Sequence, residues 1–319
     1  GEIKELTIRY LRPLAFGMPV VSVLGSMHSI LRGEGFVKES TFYMTISVVL
    51  NIVLDFIFIY NLKLHIEGAA LATVIAQVAG LALTAFHYVS GKSVISISKL
   101  RIDHSLMLPI IKNGSGQAFM SLSGILFMSF LYNMMARYGG DEEIIILTAS
   151  LRVWEYFFFV LLGASFGMQT VAGICFGAGN FAKVKQIFVF YLTLGLFISV
   201  ATWICFMGFP ETFMSWFVSD KTLAANGSTP FRLLNSIFFL LGASTMISML
   251  FVSVGKGEFS FLTVLLQQVI FFIPLVMLLP RMFGVRGIWL TVPLAGLLGF
   301  VVQLVLFSRV WKGFSAATG

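Results

Sequence analysis

The chain has 319 residues, of which 58% are apolar or aromatic and only 11% are charged, with a net charge of +7. About a quarter of the residues of a soluble domain are charged, so this composition excludes a water-soluble fold and places the chain in a lipid bilayer. The basic residues are scattered through short connections and form no basic block, which excludes nucleic acid as a partner.

Nine segments are long and apolar enough to cross the membrane, since each crossing needs about 20 mainly apolar residues. Together they predict an all-α fold, a polytopic membrane helical bundle. In chain order they cover approximately residues 8–31, 40–60, 68–90, 114–136, 144–176, 186–209, 231–254, 259–280 and 287–311. The segment 144–176 exceeds one straight crossing, which predicts a tilt or a kink.

The connections on the two sides of the membrane differ in charge. One side carries eleven basic and four acidic residues, whereas the other carries nine basic and eight acidic residues. By the positive-inside rule the first side faces the cytoplasm. This predicts a multi-pass protein of the cytoplasmic (inner) membrane with a cytoplasmic C-terminus.

A weak internal repeat relates the two ends of the chain at a shift of about 220 residues, which aligns Gly33 with Gly255 and Gly68 with Gly287. Parallel repeats of this kind build two-lobed membrane proteins. Three spans precede the second copy but not the first, so we expect about 116 further residues and three helices on the N-terminal side. The predicted whole has two pseudo-symmetric six-helix lobes, with nine of the twelve helices present.

This repeat divides the chain into three predicted parts. Residues 1–90 form the last three transmembrane helices of the N-terminal lobe, and residues 105–319 form a C-terminal lobe of six transmembrane helices. The polar, basic segment 91–104 between them is predicted to be the cytoplasmic linker of the lobes.

Three charged side chains fall clearly inside predicted spans: Asp55, Arg152 and Glu155. An ionisable group is unfavourable in hydrocarbon, so each is a functional candidate that faces protein or water. Arg152 and Glu155 are three residues apart on one helix and can neutralise each other. A structural ion pair is the preferred interpretation, and a gating or substrate-facing role is the alternative.

Asp55 lies in the more informative setting. In an antiparallel hairpin of the second and third spans, Asp55 is expected level with Thr73, and Asn51 level with Gln77 roughly 6 Å deeper. Oxygen-bearing side chains around a carboxylate can bind a hard cation such as sodium or hold a titratable proton. The alternative is a hydrogen-bonded cluster that only holds the two helices together.

Two other features have simpler interpretations. GASFG, residues 163–167, matches the G-x-S-x-G nucleophile pattern, so an intramembrane enzyme that uses Ser165 is an alternative function. The segment lies within a predicted helix with no nearby base, and a G-x-x-x-G packing face is the preferred interpretation. His28 and His87 lie near span ends, where solvated or packing roles are expected.

Four motifs carry a family resemblance: LRGEG at 31–35, NIVLD at 51–55, EGAALATVIAQ at 67–77 and FGAGN at 176–180. In order and spacing they resemble the multidrug and toxic compound extrusion (MATE) family. The resemblance runs from that family's fourth helix to its twelfth.

The resemblance implies an antiporter that exports organic, often cationic and amphipathic compounds while protons or sodium ions flow inward. It carries the family's cation site onto Asn51, Asp55 and Thr73, with Tyr10 as a possible neighbour. Acids that some members have in the seventh and tenth helices have no counterpart in this chain. The expected partners are the lipid bilayer and small organic substrates, the expected state is a monomer, and no cofactor is expected beyond the coupling ion.

Two further alternatives keep the same architecture. Related two-lobe proteins flip lipid-linked sugars, a substrate class that a strongly cationic lumen favours. Arg152 is the only basic residue clearly inside a span, which argues mildly against this alternative. The chain could also be a fragment that does not transport.

Overall fold

A computed structural model describes residues 2–93 and 104–318. Within these residues the chain is helical and contains no β-strand. Most of the predicted linker 91–104 lies outside the described residues. The helices divide into two compact units, Gly1–Ile102 (unit 1) and Asp103–Gly319 (unit 2).

Unit 1 contains three long helices and unit 2 contains ten helices of varied length. In chain order they are α1 Glu2–Gly33, α2 Val37–Phe56, α3 His65–Val89, α4 His104–Tyr138, α5 Gly140–Gly177, α6 Phe181–Gly208, α7 Pro210–Met214, α8 Lys221–Asn226, α9 Ser228–Leu234, α10 Phe238–Ser253, α11 Gly257–Leu265, α12 Phe272–Phe283 and α13 Val285–Thr318. Two π-helical turns, Ile57–Asn61 and Leu266–Phe271, continue α2 and join α11 to α12.

Seven helices of the described part are long and apolar enough to span a membrane, and a bent pair makes eight. Many large apolar side chains on them are exposed, such as Phe16 at 78% and Phe197 at 72%, as expected for surfaces that face lipid. The remaining predicted segment, 114–136, lies within α4. The prediction of an all-α membrane bundle is therefore confirmed.

In unit 1, α3 is the central helix and packs against both α1 and α2. Its buried face consists largely of small residues, including Ala72, Ala76 and Gly80. A Cβ atom at Gly80 would overlap the hydroxyl of Ser47, so the glycine lets α2 approach closely. Small residues at helix interfaces favour this close packing in membranes.

Unit 2 contains two apolar clusters. One is built around Trp289 and includes Phe206, Phe231 and Phe272, and the other is built around Phe188 and includes Met246, Leu250 and Phe251. We call them the Trp289 cluster and the Phe188 cluster. Helices α10 and α13 pass through both, so the clusters occupy successive levels along these spans.

The predicted straight span 231–254 is broken in the structure. Residues Asn235–Ile237 separate α9 from α10, and the two halves of the span meet at a bend of 45°. Two carbonyl groups near the break receive side-chain donors from α6, since Trp203 Nε1 donates to Ser236 O and Ser199 Oγ donates to Phe239 O, each at 2.9 Å. A break inside a membrane is tolerated where neighbouring helices satisfy the freed backbone groups in this way.

Candidate functional site

A polar site lies between α2 and α3 of unit 1. Asn51 Nδ2 lies 3.5 Å from Thr73 Oγ1, and Thr73 Oγ1 in turn donates to Ala69 O at 3.0 Å. Because the amide nitrogen of Asn51 is engaged by the hydroxyl, its amide oxygen is the group left to accept a proton donor or coordinate a cation. We call Asn51, Asp55 and Thr73 the α2–α3 polar site.

The pairing of levels differs from the sequence-based expectation, which set Asn51 level with Gln77 and Asp55 level with Thr73. Asn51 instead bonds to Thr73, one helical turn from Gln77. Two local features shift the hairpin: α3 begins at His65 rather than near residue 68, and the end of α2 is a π-helical turn. A π turn holds more residues than an α-helical turn, which changes the depth of every residue before it.

Asp55 is the least satisfied member of the α2–α3 polar site. Its Oδ1 atom is buried and has no hydrogen-bond partner. A buried polar atom without a partner is rare in folded proteins and calls for a bound proton, ion or water. The residue lies two positions before the π-helical turn Ile57–Asn61, an irregularity that often accompanies functional sites.

A cavity of about 270 Å³ adjoins the α2–α3 polar site. Asn51, Thr73 and Gln77 line it together with His28 and Ser47, whereas Asp55 does not. The predicted site neighbour Tyr10 is partly buried on α1 and is not among the lining residues. The structure thus gathers three of the predicted polar residues around one space, and sequence reasoning missed His28 and Ser47.

His28 and His87 are both buried, so of the two expected roles, solvated or packing, the packing role fits. His28 Nδ1 lies 3.0 Å from Ser40 Oγ, and His87 Nδ1 lies 3.1 Å from the hydroxyl of Tyr43. The two rings therefore link α2 to α1 and to α3. Hydrophobicity along the chain places them near span ends but does not show that α2 covers them.

A second cavity lies within unit 2 and has a volume of about 650 Å³. Along α10 and α13 its lining residues extend from the Trp289 cluster toward the Phe188 cluster, so we call it the mid-span cavity. Aromatic side chains form much of its wall, among them Phe127, Trp154 and Phe158.

The predicted pair Arg152 and Glu155 lines the mid-span cavity. Arg152 Nη1 lies 3.2 Å from Glu155 Oε2, and the two side chains are 61% and 44% exposed. An ion pair this accessible stabilises the fold by only about 0–1 kcal/mol. Its position in the wall leaves both charged groups available to a molecule in the cavity.

Three amide side chains of the mid-span cavity were missed by sequence reasoning: Asn235, Gln267 and Gln268. Asn235 begins the break between α9 and α10, and both glutamines lie in the π-helical turn Leu266–Phe271. An amide in a predicted span is a usable signal, but it is weaker than a charged group, because an uncharged amide is less unfavourable in hydrocarbon. Only the folded chain shows that these residues share one space.

Ser165 is fully buried, and its hydroxyl donates to Leu162 O of its own helix at 2.7 Å. A nucleophilic serine instead needs a hydrogen bond to a general base. Among the described residues, no group of three His, Cys, Asp or Glu side chains is placed to hold a metal ion.

Seven or eight apolar helices of the described part, with polar groups and cavities among them, define a multi-pass membrane protein. The sequence matches the family model MatE over residues 1–57 and 118–278, which together exceed half of the chain. The protein therefore belongs to the MatE family, and the family resemblance found in the sequence is confirmed.

Two curated relatives show how far this similarity extends. The multidrug export protein MepA of Staphylococcus aureus is 23% identical over 310 residues, which are 96% of this chain and 68% of the relative. MepA of Staphylococcus saprophyticus is 24% identical over 292 residues, which are 90% of this chain and 64% of the relative.

Solved structures show the same fold. The outward-facing conformation of a multidrug resistance MATE family transporter has a TM-score of 0.89 and 24% identity, covering 100% of this chain and 72% of that one. A MATE crystal structure in the bent conformation has a TM-score of 0.87 and 24% identity, covering 100% and 71%. At this identity the likeness establishes the MATE-like bundle and no more.

Proposed function

We propose that this protein is a secondary antiporter that exports organic, often cationic and amphipathic compounds in exchange for protons or sodium ions. Its relatives named MepA are multidrug export proteins, and it shares their family model. We further propose that it works as a monomer in the cytoplasmic membrane, with its C-terminus in the cytoplasm and no cofactor beyond the coupling ion.

The observation that carries the coupling proposal is the buried, unpartnered Oδ1 atom of Asp55. An ionisable group inside a membrane helix is unfavourable unless it is paired or neutralised, so a proton or a cation that occupies Asp55 for part of the cycle accounts for this atom. A bound proton neutralises the group directly. A sodium ion instead takes oxygen ligands. Asn51 lies one turn before Asp55 on α2 and contacts the Thr73 hydroxyl, so an amide oxygen and a hydroxyl are available on this part of the hairpin.

Exchange of this ion can drive export only if ion and substrate favour different openings of the transporter. A ligand that binds two conformations equally shifts neither, however tightly it binds. We therefore assign the ion to one opening through Asp55 and the organic compound to the other. After one of the two ligands has dissociated, the transporter is in the conformation that binds the other.

The proposal is tested by Asp55→Asn in cells that accumulate ethidium. The amide keeps the size of the side chain but cannot exchange a proton or balance a sodium ion, so we expect gradient-driven ethidium efflux to be lost. Asp141→Asn is the matched control, because Asp141 is an exposed acid in the first turn of α5. Membrane levels of all three proteins are measured in the same cells.

Undiminished efflux by Asp55→Asn at equal membrane level would overturn the assignment. Proteoliposomes with an imposed proton gradient, or an imposed sodium gradient, then separate the two candidate ions. The ion whose gradient drives ethidium transport in the native protein, but not in Asp55→Asn, is the coupling ion.

A further inference from the structure

We infer that unit 2 binds the headgroup of an anionic phospholipid where the beginning of α6 meets the end of α13. Three residues form the site: Lys185 on α6, and Trp311 and Lys312 on α13. We call them the α6–α13 basic site. The inference goes beyond the proposed function, because it concerns a lipid of the surrounding membrane and holds whichever compound the protein exports.

Aromatic packing joins the two helix ends. The ring centroid of Phe188 on α6 lies 5.2 Å from that of Phe307 and 5.5 Å from that of Trp311, both on α13. These rings belong to the Phe188 cluster or pack against it. The beginning of α6 is thus held beside the end of α13, and charged residues next to these rings are brought together from distant parts of the chain.

Lys185 lies over the ring of Trp311. Its Nζ atom is 5.6 Å from the ring centroid, within the range of a cation–π interaction. Both residues are half-buried, so the ammonium group is positioned at the edge of the Phe188 cluster. Lys312 follows Trp311 in the chain and is exposed. One tryptophan therefore has a lysine over its ring and a second lysine beside it in the sequence.

The charges at this end of unit 2 favour an anionic ligand. The connections α5–α6 and α10–α11, the first turn of α6 and the end of α13 carry five basic residues and one acid, Glu258. The basic residues are Lys183, Lys185, Lys256, Arg309 and Lys312. In the proposed orientation they meet the cytoplasmic leaflet, where anionic lipids make the surface potential negative. Lysine and tryptophan are side chains that reside at headgroup depth, so a lipid phosphate is the complementary group.

Exposed apolar side chains continue from the site toward the middle of the membrane. On α6, Val189 lies one helical turn beyond Lys185, and on α13, Leu304 lies two turns before Trp311. Residues four or seven positions apart share a helix face. An acyl chain can therefore extend along these faces while the phosphate contacts the lysines, which favours a whole phospholipid over a soluble phosphate.

Two other lysines at this end provide matched controls. Lys183 is exposed and lies two residues before Lys185, so its side chain leaves α6 on a different face. Lys256 is exposed, and its Nζ atom lies 5.6 Å from the ring centroid of Phe259, the same type of contact as that of Lys185. Each has the charge of a site lysine. They therefore distinguish a binding site from a general attraction between net charge and anionic lipid.

The test measures which phospholipid stays bound to the purified protein. The protein in detergent is mixed with equal amounts of phosphatidylglycerol and phosphatidylcholine that have identical acyl chains, and bound lipids are counted by native mass spectrometry. We expect phosphatidylglycerol to be retained about twentyfold in preference to phosphatidylcholine, because each lysine near an anionic headgroup strengthens binding about fivefold.

Four variants locate the preference. Lys185→Gln and Lys312→Gln each remove one charge of the site, and each should lower the preference about fivefold. Lys183→Gln and Lys256→Gln remove the same charge elsewhere at this end, and the preference should stay within about twofold of the native value. The preference is a ratio of two lipids in one sample, so a lower yield of folded protein does not change it.

The inference is overturned if the native protein retains both lipids equally, or if Lys185→Gln and Lys312→Gln keep the full preference. It is also overturned if Lys183→Gln and Lys256→Gln lose as much, because net charge alone would then attract the lipid. Glycerol 3-phosphate, which has the phosphate but no acyl chains, should not displace phosphatidylglycerol at equal concentration, and displacement would exclude a lipid site. None of these outcomes bears on export, because no gradient and no exported compound is present.

Discussion

At the scale of single residues, the α2–α3 polar site shows how one hydrogen bond sets a register. Two polar side chains in adjacent membrane helices form a hydrogen bond with each other because the surrounding hydrocarbon offers no other partner. Asn51 bonds to Thr73 rather than lying level with Gln77, and this arrangement leaves the amide oxygen of Asn51 free. The site therefore depends on the Thr73 hydroxyl as well as on the carboxylate of Asp55.

We predict that Thr73→Val weakens coupled efflux, whereas Thr73→Ser preserves it. Valine matches threonine in shape but cannot accept the hydrogen bond from Asn51, and serine retains the hydroxyl. An interhelical hydrogen bond of this kind contributes about 0.6 kcal/mol to stability, so both variants should remain folded. Initial rates of ethidium efflux at equal membrane level check the prediction, and equal rates for valine and serine would contradict it.

At the scale of elements, the broken span α9–α10 and the π-helical turn Leu266–Phe271 share a role. Both depart from regular α-helix in the middle of unit 2, and both place amides in the wall of the mid-span cavity. Irregular backbone at membrane depth is tolerated where it is buried in protein or lines a cavity. The carbonyl of Ser236 at the break is satisfied from α6 by Trp203.

We predict that Trp203→Phe lowers the free energy of unfolding by about 1–3 kcal/mol, because phenylalanine keeps the apolar ring and removes the N–H that Ser236 O accepts. The matched control is Trp216→Phe, at a tryptophan that is 55% exposed. Thermal unfolding midpoints of both variants in the same detergent provide the measurement. Equal midpoints would mean that the indole hydrogen bond does not stabilise the break.

The order of these elements could be predicted, but their irregularities could not. Every predicted span lies inside a helix or a continued helix pair, apart from at most one residue at its end. The break at Asn235–Ile237 contains no proline or glycine that would predict it. Carbonyl groups near the break instead accept hydrogen bonds from Trp203 and Ser199, which lie over 30 residues earlier in the chain. Local pattern cannot show a hydrogen bond between distant segments.

At the scale of the whole molecule, the charges of the connections predict the orientation. Lys256 lies between α10 and α11 on the side rich in basic residues, and Lys221 begins α8 on the other side. Both side chains are exposed. Basic residues near the ends of spans are retained in the cytoplasm, so the two positions should lie on opposite faces of the membrane.

We predict that a membrane-impermeant maleimide labels Lys221→Cys in intact cells, and labels Lys256→Cys only after the membrane is permeabilised. Both are made in a background in which Cys175 and Cys205 are replaced by serine, because Cys205 is exposed and Cys175 partly exposed. Labelling of the residue-256 cysteine alone in intact cells would reverse the proposed topology, including the cytoplasmic C-terminus.

The sequence by itself determined that this is an all-helical membrane protein, where its spans lie, and that Asp55 is an unusual group inside one of them. These properties follow from composition along the chain, because a bilayer forces each apolar segment to satisfy its own backbone as a helix. The tertiary structure alone decided that Asn51 pairs with Thr73 and that Asn235 and Gln268 belong to the wall of one cavity. Such pairings depend on helix depth, bends and packing between segments far apart in the chain, which no local pattern encodes.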